Sequence, residues 1–353
     1  MKVAIISHCK PGNVGGIETY IHSLYSLLKK DKRVEPILIE NPFPNKNFFI
    51  KIVLITKYLY SLIRIKPDCV HVHNDWYPMI AAWAYKKINP AAKIIITFHS
   101  YLSHDYSFLK KNLLKKLYNS ADYITFVAKG LEQNINSKIP LNGQISYITY
   151  PGVTIRRVSK KDKEWFIKNF DIDKKKIILL SQAFTANYYK AKGVKILLKA
   201  MKILKEKKIN TVLILTKNGK YCDEIKKYAN HIGMDESFIM TGNMLNPFIP
   251  LDICDIYCHI TLADGLPLSI LEAMYENKPI IATSIGGIPE ALNESNSILV
   301  KPNPYEIAKK VEYLINNKKF SKTISKKACI DVKKNFMWGS TISTFLKMYA
   351  GKL

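Results

Sequence analysis

The sequence contains very little arginine. Its 54 basic residues against 28 acidic ones give a formal net charge of +26, yet only four are Arg: Arg33, Arg64, Arg156 and Arg157. A charge this large makes nucleic acid or an anionic membrane a partner to consider, although abundant lysine can also be compositional. Specific recognition of bases and phosphates favours the bidentate guanidinium of arginine. We therefore expect no nucleic-acid partner.

Paired cysteines and long apolar runs are also missing. The six cysteines are scattered without any C-x-x-C pair, which is typical of free thiols in a reducing compartment and leaves a metal site as a minor alternative. No charge-free stretch of 18 apolar residues occurs, and Met1 leads directly into a short strand pattern rather than a signal peptide. These features predict a cytoplasmic protein, either soluble or peripheral at the inner face of the membrane.

Strand and helix patterns alternate along the 353 residues, and the alternation restarts near the middle of the chain. Length and the 48% apolar content suit two domains with cores of ordinary size. The predicted fold class is α/β, with two Rossmann-like doubly wound domains facing across a cleft. We place the first domain at residues 1–152 and the second at 153–336.

The most informative stretch is residues 264–290, DGLPLSILEAMYENKPIIATSIGGIPE. Asp264 and Glu272 are separated by Gly265-Leu266-Pro267 and by a helical pattern that places Leu268, Leu271, Met274 and Tyr275 on one face. Pro267 suits the first turn of that helix. Free N–H groups at a helix start favour a polar or anionic ligand, and Gly265 permits close approach of the backbone. The stretch predicts a site for a polyhydroxylated phosphate ester.

Other candidate residues lie where predicted strands end. Gly15-Gly16 follows the first strand, His73-Asn74-Asp75 follows a second, and His99 ends a third. Gly-Gly alone is more often a plain turn. His71 and His73 point to one face and could be zinc ligands, but no third ligand follows at metal spacing. A lone histidine such as His99 is more often structural than catalytic.

Residues 264–290 resemble the retaining glycosyltransferases of family four (glycosyl transferases group 1, GT-B fold), whose pattern is Glu-Gly-x-Pro-(x)4-Glu-Ala-Met and then Gly-Gly-x-Pro-Glu. The resemblance implies transfer of a sugar from a nucleoside-diphosphate sugar to a saccharide or lipid-linked acceptor, in cell-surface glycan biosynthesis, without an essential metal or other cofactor. It implies an acceptor-binding first domain, a donor-binding second domain and a final helix, at about 337–353, that packs on the first.

The resemblance also assigns roles to residues. It implies His99, Asp264 and Lys192 as catalytic residues and His73, Asn74 and Asp75 on the acceptor side. The implied donor-binding residues are Gly15, Gly16, Gln182, Lys190, Lys192, Gly265, Leu266, Pro267, Leu268 and Glu272. Asp264 replaces the usual Glu, and Gln182 stands where Arg is expected, with Lys190 as a candidate substitute. A nucleotide-sugar-binding but catalytically weak subunit is the alternative, and a phosphorylase or epimerase is a further one.

Two apolar and basic segments allow two interpretations each. Residues 48–65 predict a helix that packs on the sheet or faces a membrane. Residues 106–120 predict a basic helix with Leu109, Leu113, Leu117 and Tyr118 on its apolar face. Its lysines form either a solvated face or a docking surface for an anionic membrane.

Overall fold

The computed structural model describes residues 1–7, 15–41, 43, 47–102, 107–141, 143, 145–185, 187–244 and 246–353. The chain divides into two compact units. The N-terminal unit comprises Met1–Gly152 and Trp338–Leu353, and the C-terminal unit comprises Val153–Met337. The predicted α/β class with two Rossmann-like parallel sheets is confirmed.

The first part of the N-terminal unit alternates strands and helices, as its hydrophobic periodicity predicts. Its elements are β1 (Lys2–Ile6), α1 (Gly16–Leu28), β2 (Glu35–Ile39), α2 (Phe48–Ile65), β3 (Cys69–His73), α3 (Trp76–Ile88), β4 (Lys93–Phe98), α4 (Phe108–Tyr118), β5 (Tyr123–Phe126), α5 (Lys129–Lys138) and β6 (Ser146–Ile148). The six strands form one parallel sheet in the order β2-β1-β3-β4-β5-β6.

The C-terminal unit repeats the same construction. Its elements are α6 (Lys160–Asn169), β7 (Ile177–Gln182), α7 (Tyr188–Glu206), β8 (Thr211–Thr216), α8 (Cys222–His231), β9 (Phe238–Gly242), α9 (Phe248–Ile253), β10 (Ile256–His259), α10 (Leu268–Tyr275), β11 (Ile280–Thr283), α11 (Ile288–Ala291), β12 (Ile298–Val300), α12 (Pro304–Asn316) and α13 (Lys318–Asn335). The chain then returns to the N-terminal unit as α14 (Trp338–Ala350).

The strand order of the C-terminal sheet places its ligand-binding edge. The order is β12-β11-β10-β7-β8-β9, so the direction of winding reverses between β7 and β10. In open parallel sheets, ligands bind at the carboxyl ends of the strands beside such a switch point. The loops that follow β7 and β10 therefore define the expected site of this unit.

Several backbone conformations at these strand ends are strained. Ala183 after β7 and Lys217 after β8 have φ values of +60° and +78°. Asn74, directly after β3 in the other unit, has a φ of +57°. Left-handed conformations of non-glycine residues cost energy and cluster at functional loops. In both units the strain lies on the edge of the sheet where a ligand is expected.

Some predictions about helices were wrong in detail. Apolar periodicity predicts a helix over 193–207, but α7 begins at Tyr188, where the Asn187 side chain caps it by accepting from the N–H groups of Tyr189 and Lys190. Pro267 is the residue before the first turn of α10 rather than a member of it. On α4 the buried residues are Leu114, Leu117 and Tyr118, whereas Leu109 and Leu113 of the predicted apolar face are exposed.

Candidate functional site

Lys190 and Asp264 meet at the switch point of the C-terminal sheet. Lys190 lies in the first turn of α7, which follows β7, and Asp264 lies in the loop after β10. The Lys190 ammonium is 2.8 Å from Asp264 Oδ2, and both side chains are less than one-fifth exposed. His259, the last residue of β10, lies 3.0 Å from the same carboxylate oxygen through its Nε2. The Asp264 carboxylate thus joins the start of α7 to the end of β10 at the switch point.

Charge and burial fix the protonation states of this cluster. Burial raises the pKa of Asp264, but the Lys190 ammonium and the hydrogen bond from His259 outweigh burial and hold that pKa below its usual range. Burial lowers the pKa of His259, and the bond to Asp264 offsets only part of the shift. A neutral His259 therefore donates its Nε2–H to an ionised Asp264 and leaves Nδ1 as an acceptor.

Tyr257 completes the contacts of His259. Its hydroxyl lies 3.3 Å from His259 Nδ1 and is buried. Since Nδ1 is the acceptor in this tautomer, the hydroxyl donates to it. The same hydroxyl interacts with Ser269 in the first turn of α10. Ser269, Tyr257, His259, Asp264 and Lys190 consequently form a continuous polar chain from the start of α10 to the start of α7.

Helix α10 begins at Leu268, four residues after Asp264 and directly after the Gly265-Leu266-Pro267 segment. No side chain caps this helix, and the Gly265 N–H donates to the Asp264 carboxylate itself. The Gly265 carbonyl accepts from Gly287 N–H at 3.2 Å, which joins the loop to the turn after β11. An uncapped helix start offers N–H groups and a positive dipole end to an anion or a hydroxyl. The predicted donor-binding residues Gly265, Leu266, Pro267 and Leu268 make up this segment.

Glu272 lies one turn into α10 and is 8% exposed. Burial raises the pKa of its carboxyl to about 8, against a smaller opposing effect of the Arg156 charge. A buried carboxyl without a full charge partner is costly, so its retention here indicates a use other than stability. A hydroxyl-rich ligand could supply the hydrogen bonds that an ionised Glu272 requires.

Lys190 and Lys192 are two residues apart on α7 and therefore point to different sides of the helix. Lys192 is exposed, and its ammonium lies over the Tyr188 ring, 4.6 Å from the ring centroid. The hydrogen bond to Tyr188 raises the pKa of Lys192. Only Lys190 joins the Asp264 cluster. The structure thus places Lys190, the candidate substitute for the expected Arg, rather than Lys192 at the switch point.

Gln182 is held inside the protein. It is 3% exposed, and its amide nitrogen donates to the Pro247 carbonyl at 2.7 Å. Its Oε1 is also buried. The side chain that stands in the expected arginine position therefore packs in the interior and does not present its N–H groups to a ligand.

The predicted residues of the N-terminal unit lie at the ends of β3 and β4. His73 Nδ1 and His99 Nε2 are 2.9 Å apart, and the Asn74 side-chain oxygen accepts from the His99 N–H at 2.6 Å. Asp75 precedes the first residue of α3. The Tyr20 ring packs edge-on against His99. The structure thus brings His73, Asn74, Asp75 and His99 to one edge of the sheet.

His71 serves a different purpose from His73. The two imidazoles stack on one face of the sheet, as predicted, with ring centroids 4.4 Å apart. His71 is buried, which lowers its pKa to about 3, and its nitrogens bond Tyr349 and Thr97. It therefore anchors α14 to the sheet. Among the described residues, no three His, Cys, Asp or Glu side chains come together as a metal site.

Gly15 and Gly16 begin α1, where the Gly15 carbonyl accepts from the Thr19 N–H. Residues 8–14 of the predicted Gly-Gly loop lie outside the described residues. His259 and Tyr257 were not predicted as site residues. The polar residues of β10 could have indicated them, because Tyr257 and His259 alternate with apolar residues and point to one face of the strand.

Two family models match most of the chain. The model described as glycosyl transferases group 1 matches residues 162–329, and that of glycosyltransferase family 4 matches residues 14–157. An uncharacterized glycosyltransferase of Methanocaldococcus jannaschii is 29% identical, over 96% of this chain and 95% of its own length. The N,N'-diacetylbacillosaminyl-diphospho-undecaprenol alpha-1,3-N-acetylgalactosaminyltransferase of Campylobacter jejuni is 25% identical, over 82% of this chain and 77% of its own.

Solved structures agree on the fold. Anabaena HepE, in a complex with UDP-glucose, matches with a TM-score of 0.82 at 16% identity, over 99% of this chain and 100% of its own. At this identity the likeness shows the fold alone. Family models and fold together show that the chain is a glycosyltransferase with the GT-B fold and belongs to group 1, glycosyltransferase family 4.

Proposed function

We propose that this protein is a retaining glycosyltransferase that moves a hexose from a nucleoside-diphosphate sugar to a saccharide or lipid-linked acceptor. The observation that carries the proposal is the Lys190–Asp264–His259 cluster at the switch point, beside the uncapped start of α10. A cation and free N–H groups suit a diphosphate, and an ionised carboxylate suits sugar hydroxyls. The Lys190 ammonium lies 2.8 Å from the Asp264 carboxylate, and α10 begins four residues after Asp264.

Residues around the switch point receive separate roles in donor binding. Glu272 accepts hydrogen bonds from the ribose hydroxyls, and Asp264 holds the sugar together with segment 265–268, in which Leu266 and Leu268 offer backbone N–H groups and Pro267 has none. Lys190 turns from Asp264 towards the diphosphate and stabilises the charge that develops as the diphosphate leaves. Such electrostatic stabilisation often contributes more than any other effect to the rate of group transfer. Lys192, on the exposed side of α7, contributes longer-range attraction. With the charge neutralised by lysine and backbone N–H groups, the proposed reaction needs no metal.

The state of Asp264 favours attack of the acceptor on the leaving-group face. A retaining enzyme can instead form a covalent glycosyl intermediate on a carboxylate. Asp264 carries two hydrogen bonds on one oxygen, and its lowered pKa makes it a weak nucleophile. The departing diphosphate then takes the proton of the acceptor hydroxyl, and the configuration at the anomeric carbon is retained.

On the acceptor side we propose that His99 faces the transferred sugar, with His73, Asn74 and Asp75 beside the acceptor. The bond from His73 and the bond from Asn74 fix the ring and backbone of His99. The Campylobacter jejuni relative carries a diphospho-undecaprenol acceptor in its name. That relative supports, for this chain, a lipid-linked acceptor and a role in cell-surface glycan biosynthesis.

A catalytically weak nucleotide-sugar-binding subunit is the second candidate. Gln182 favours it, because this buried amide replaces a guanidinium that would bind the diphosphate with two hydrogen bonds. Binding of a sugar nucleotide without turnover, across saccharide and lipid-linked acceptors, would support this candidate over the enzyme.

The test is a thermal-shift screen of UDP, UDP-glucose, UDP-N-acetylglucosamine and GDP-mannose, followed by turnover with the donor that binds. Donor binding raises the unfolding temperature by mass action. We expect Glu272→Gln to abolish the shift, whereas Glu276→Gln, at the residue that follows the end of the same helix, preserves it. NMR of the product anomer then tests retention. An equal response of the two variants would refute the role of Glu272, and an inverted product would refute retention.

A further inference from the structure

Three helices of the N-terminal unit form a layer without acidic residues. Helices α2, α3 and α4 pack side by side on one face of the sheet. Their 18, 13 and 11 residues include nine lysines and arginines but no aspartate or glutamate. At the average of the chain, 28 acidic residues in 353, about three would be expected among them. The absence of acidic residues from this layer is therefore not explained by the lysine-rich composition of the chain alone.

Helix α2 turns an apolar stripe outward along its whole length. Leu54, Tyr58 and Leu62 are buried against the sheet. The opposite side also carries large apolar residues, which are between 41% and 77% exposed: Phe48, Phe49, Ile52, Val53, Tyr60 and Ile63. Scattered exposed apolar residues are ordinary, but six on one side of a helix, with the polar residue Thr56 between Val53 and Tyr60, mark an interaction surface. No described helix is long and apolar enough to cross a membrane.

The start of α4 repeats this arrangement. Phe108 is 77% exposed and Leu109 is 80% exposed, next to Lys110 and Lys111. Both α2 and α4 are crossover helices of a parallel sheet, so both begin at its carboxyl edge. Phe48 and Phe49 therefore lie at the same end of the helix layer as Phe108 and Leu109. We call these four residues the apolar tip.

We propose that the apolar tip and the outward face of α2 and α4 bind an anionic phospholipid membrane. Aromatic and aliphatic side chains enter the interface between headgroups and acyl chains, while the surrounding lysines contact anionic headgroups. A second copy of the chain is a poor partner for this surface. A symmetric dimer would place two basic layers without acidic residues against each other, and their like charges would repel. Membrane binding needs neither donor nor acceptor, so it stands independently of the proposed transfer reaction.

Vesicle sedimentation of the full-length protein tests this proposal. We expect binding to vesicles of phosphatidylcholine and phosphatidylglycerol in equal parts, and much weaker binding to phosphatidylcholine alone. The variants F48S/F49S and F108S/L109S should each weaken binding about tenfold or more, because each removes two large apolar side chains from the interface. Lys57→Gln, Lys111→Gln and Lys115→Gln combined should weaken it by a similar factor and reduce its salt dependence.

Matched controls come from the C-terminal unit. Tyr305 and Ile330 are 75% and 61% exposed, and α13 is rich in lysine. Y305S/I330S and the combined change of Lys318, Lys319 and Lys322 to Gln should leave vesicle binding within about twofold, with unfolding temperatures confirming that all variants fold. Equal loss in variants and controls would mean that only bulk charge binds. That result, no vesicle binding by the wild type, or a dimer that F48S/F49S dissociates would each overturn the proposal.

Discussion

The Lys190 ammonium lies 2.8 Å from the Asp264 carboxylate, across the point where the winding of the C-terminal sheet reverses. The pair is largely buried, and its residues, one in the first turn of α7 and one in the loop after β10, are 74 positions apart in sequence. In this ion pair the Lys190 and Asp264 charges neutralise each other, whereas in the proposed reaction Lys190 binds the diphosphate and Asp264 binds the sugar. In the proposed reaction, donor binding exchanges one partner of Lys190 for another, so the lysine does not enter that reaction from bulk water.

Replacing Lys190 should affect both stability and turnover. Lys190→Met leaves the Asp264 charge with less compensation, and we expect a loss of about 1–3 kcal/mol in the free energy of unfolding, less than for a fully buried pair. We expect turnover to fall about a hundredfold, because a cation at the leaving diphosphate is lost. Lys192→Met is the matched control, and its turnover should change by about fivefold or less, since the exposed ammonium is solvent-screened.

Measurements of turnover and of denaturant unfolding on both variants check this prediction. The double variant K190M/D264N should regain most of the stability that K190M loses but none of its turnover, because it removes the uncompensated charge without restoring the cation. Equal effects of Lys190→Met and Lys192→Met on turnover would show that the pairing with Asp264 has no bearing on catalysis.

His259 should act as a positioning residue for Asp264. His259→Leu removes the Nε2–H donor, whereas His259→Gln can place an amide N–H near the same point. Because one of the bonds that lower the pKa of Asp264 is lost in the Leu variant, that pKa should rise and the acidic limb of the pH–rate profile should move to higher pH. We expect turnover to fall about tenfold in His259→Leu and to recover largely in His259→Gln.

A pH profile separates this role from simple packing. A structural histidine would lower the activity of the Leu variant equally at all pH values, and glutamine would give no rescue. An unmoved acidic limb in a folded His259→Leu protein would contradict the positioning role.

Most of the fold could be predicted because its signals are local. Periodicity predicted α2 at Phe48–Ile65 with its observed bounds. The start of α7 could not be predicted as readily, because the run Asn187-Tyr188-Tyr189 carries little apolar periodicity and the cap at Asn187 depends on a side-chain hydrogen bond. The burial of Leu114 rather than Leu113 depends on how α4 turns against its neighbours, which is a tertiary property.

The candidate site divides in the same way. Asp264, the α10 start and Glu272 could be predicted because they lie in one contiguous motif. His259 was missed because its contact with Asp264 depends on how the loop after β10 folds back towards the end of that strand. Lys190 rather than Lys192 contacts Asp264 because both lysines lie on α7 and point to different sides of it. That difference could be inferred only once the helix was known to begin at Tyr188. Site residues within one local motif could thus be predicted from the sequence, whereas contacts between residues on either side of the switch point required the structure.

Glu272 should make stability depend on pH. Its pKa is about 8 in the folded protein and near 4.5 when exposed. Between these values the unfolded state loses the proton and the folded state keeps it, so stability should fall as the pH rises from about 5 to about 8 and then level off. Glu272→Gln lacks this titration and should therefore unfold about 5 °C or more above the wild type at the upper end of the range.

Unfolding temperatures at several pH values, for wild type, Glu272→Gln and the exposed control Glu294→Gln, check the dependence on Glu272. The control should follow the wild type throughout. Parallel curves for wild type and Glu272→Gln would show that Glu272 is ionised in the folded protein. A saturating sugar nucleotide should flatten the wild-type curve, because hydroxyl donors favour the ionised carboxyl.

Gly193 should be intolerant of even one methyl group. A Cβ at this position would lie 1.6 Å from the carbonyl oxygen of Ile260, in the segment after β10, so Gly193→Ala forces α7 away from that backbone. The displacement also moves Lys190, one turn earlier on the same helix, away from Asp264. We expect a loss of about 2 kcal/mol or more in the free energy of unfolding and a weaker thermal shift with donor. Gly339→Ala is the matched control, since no atom lies within 4 Å of the added Cβ and alanine favours the helix. That variant should be as stable as the wild type or more so, and a Gly193→Ala protein with unchanged stability would show that α7 does not need its close contact with Ile260.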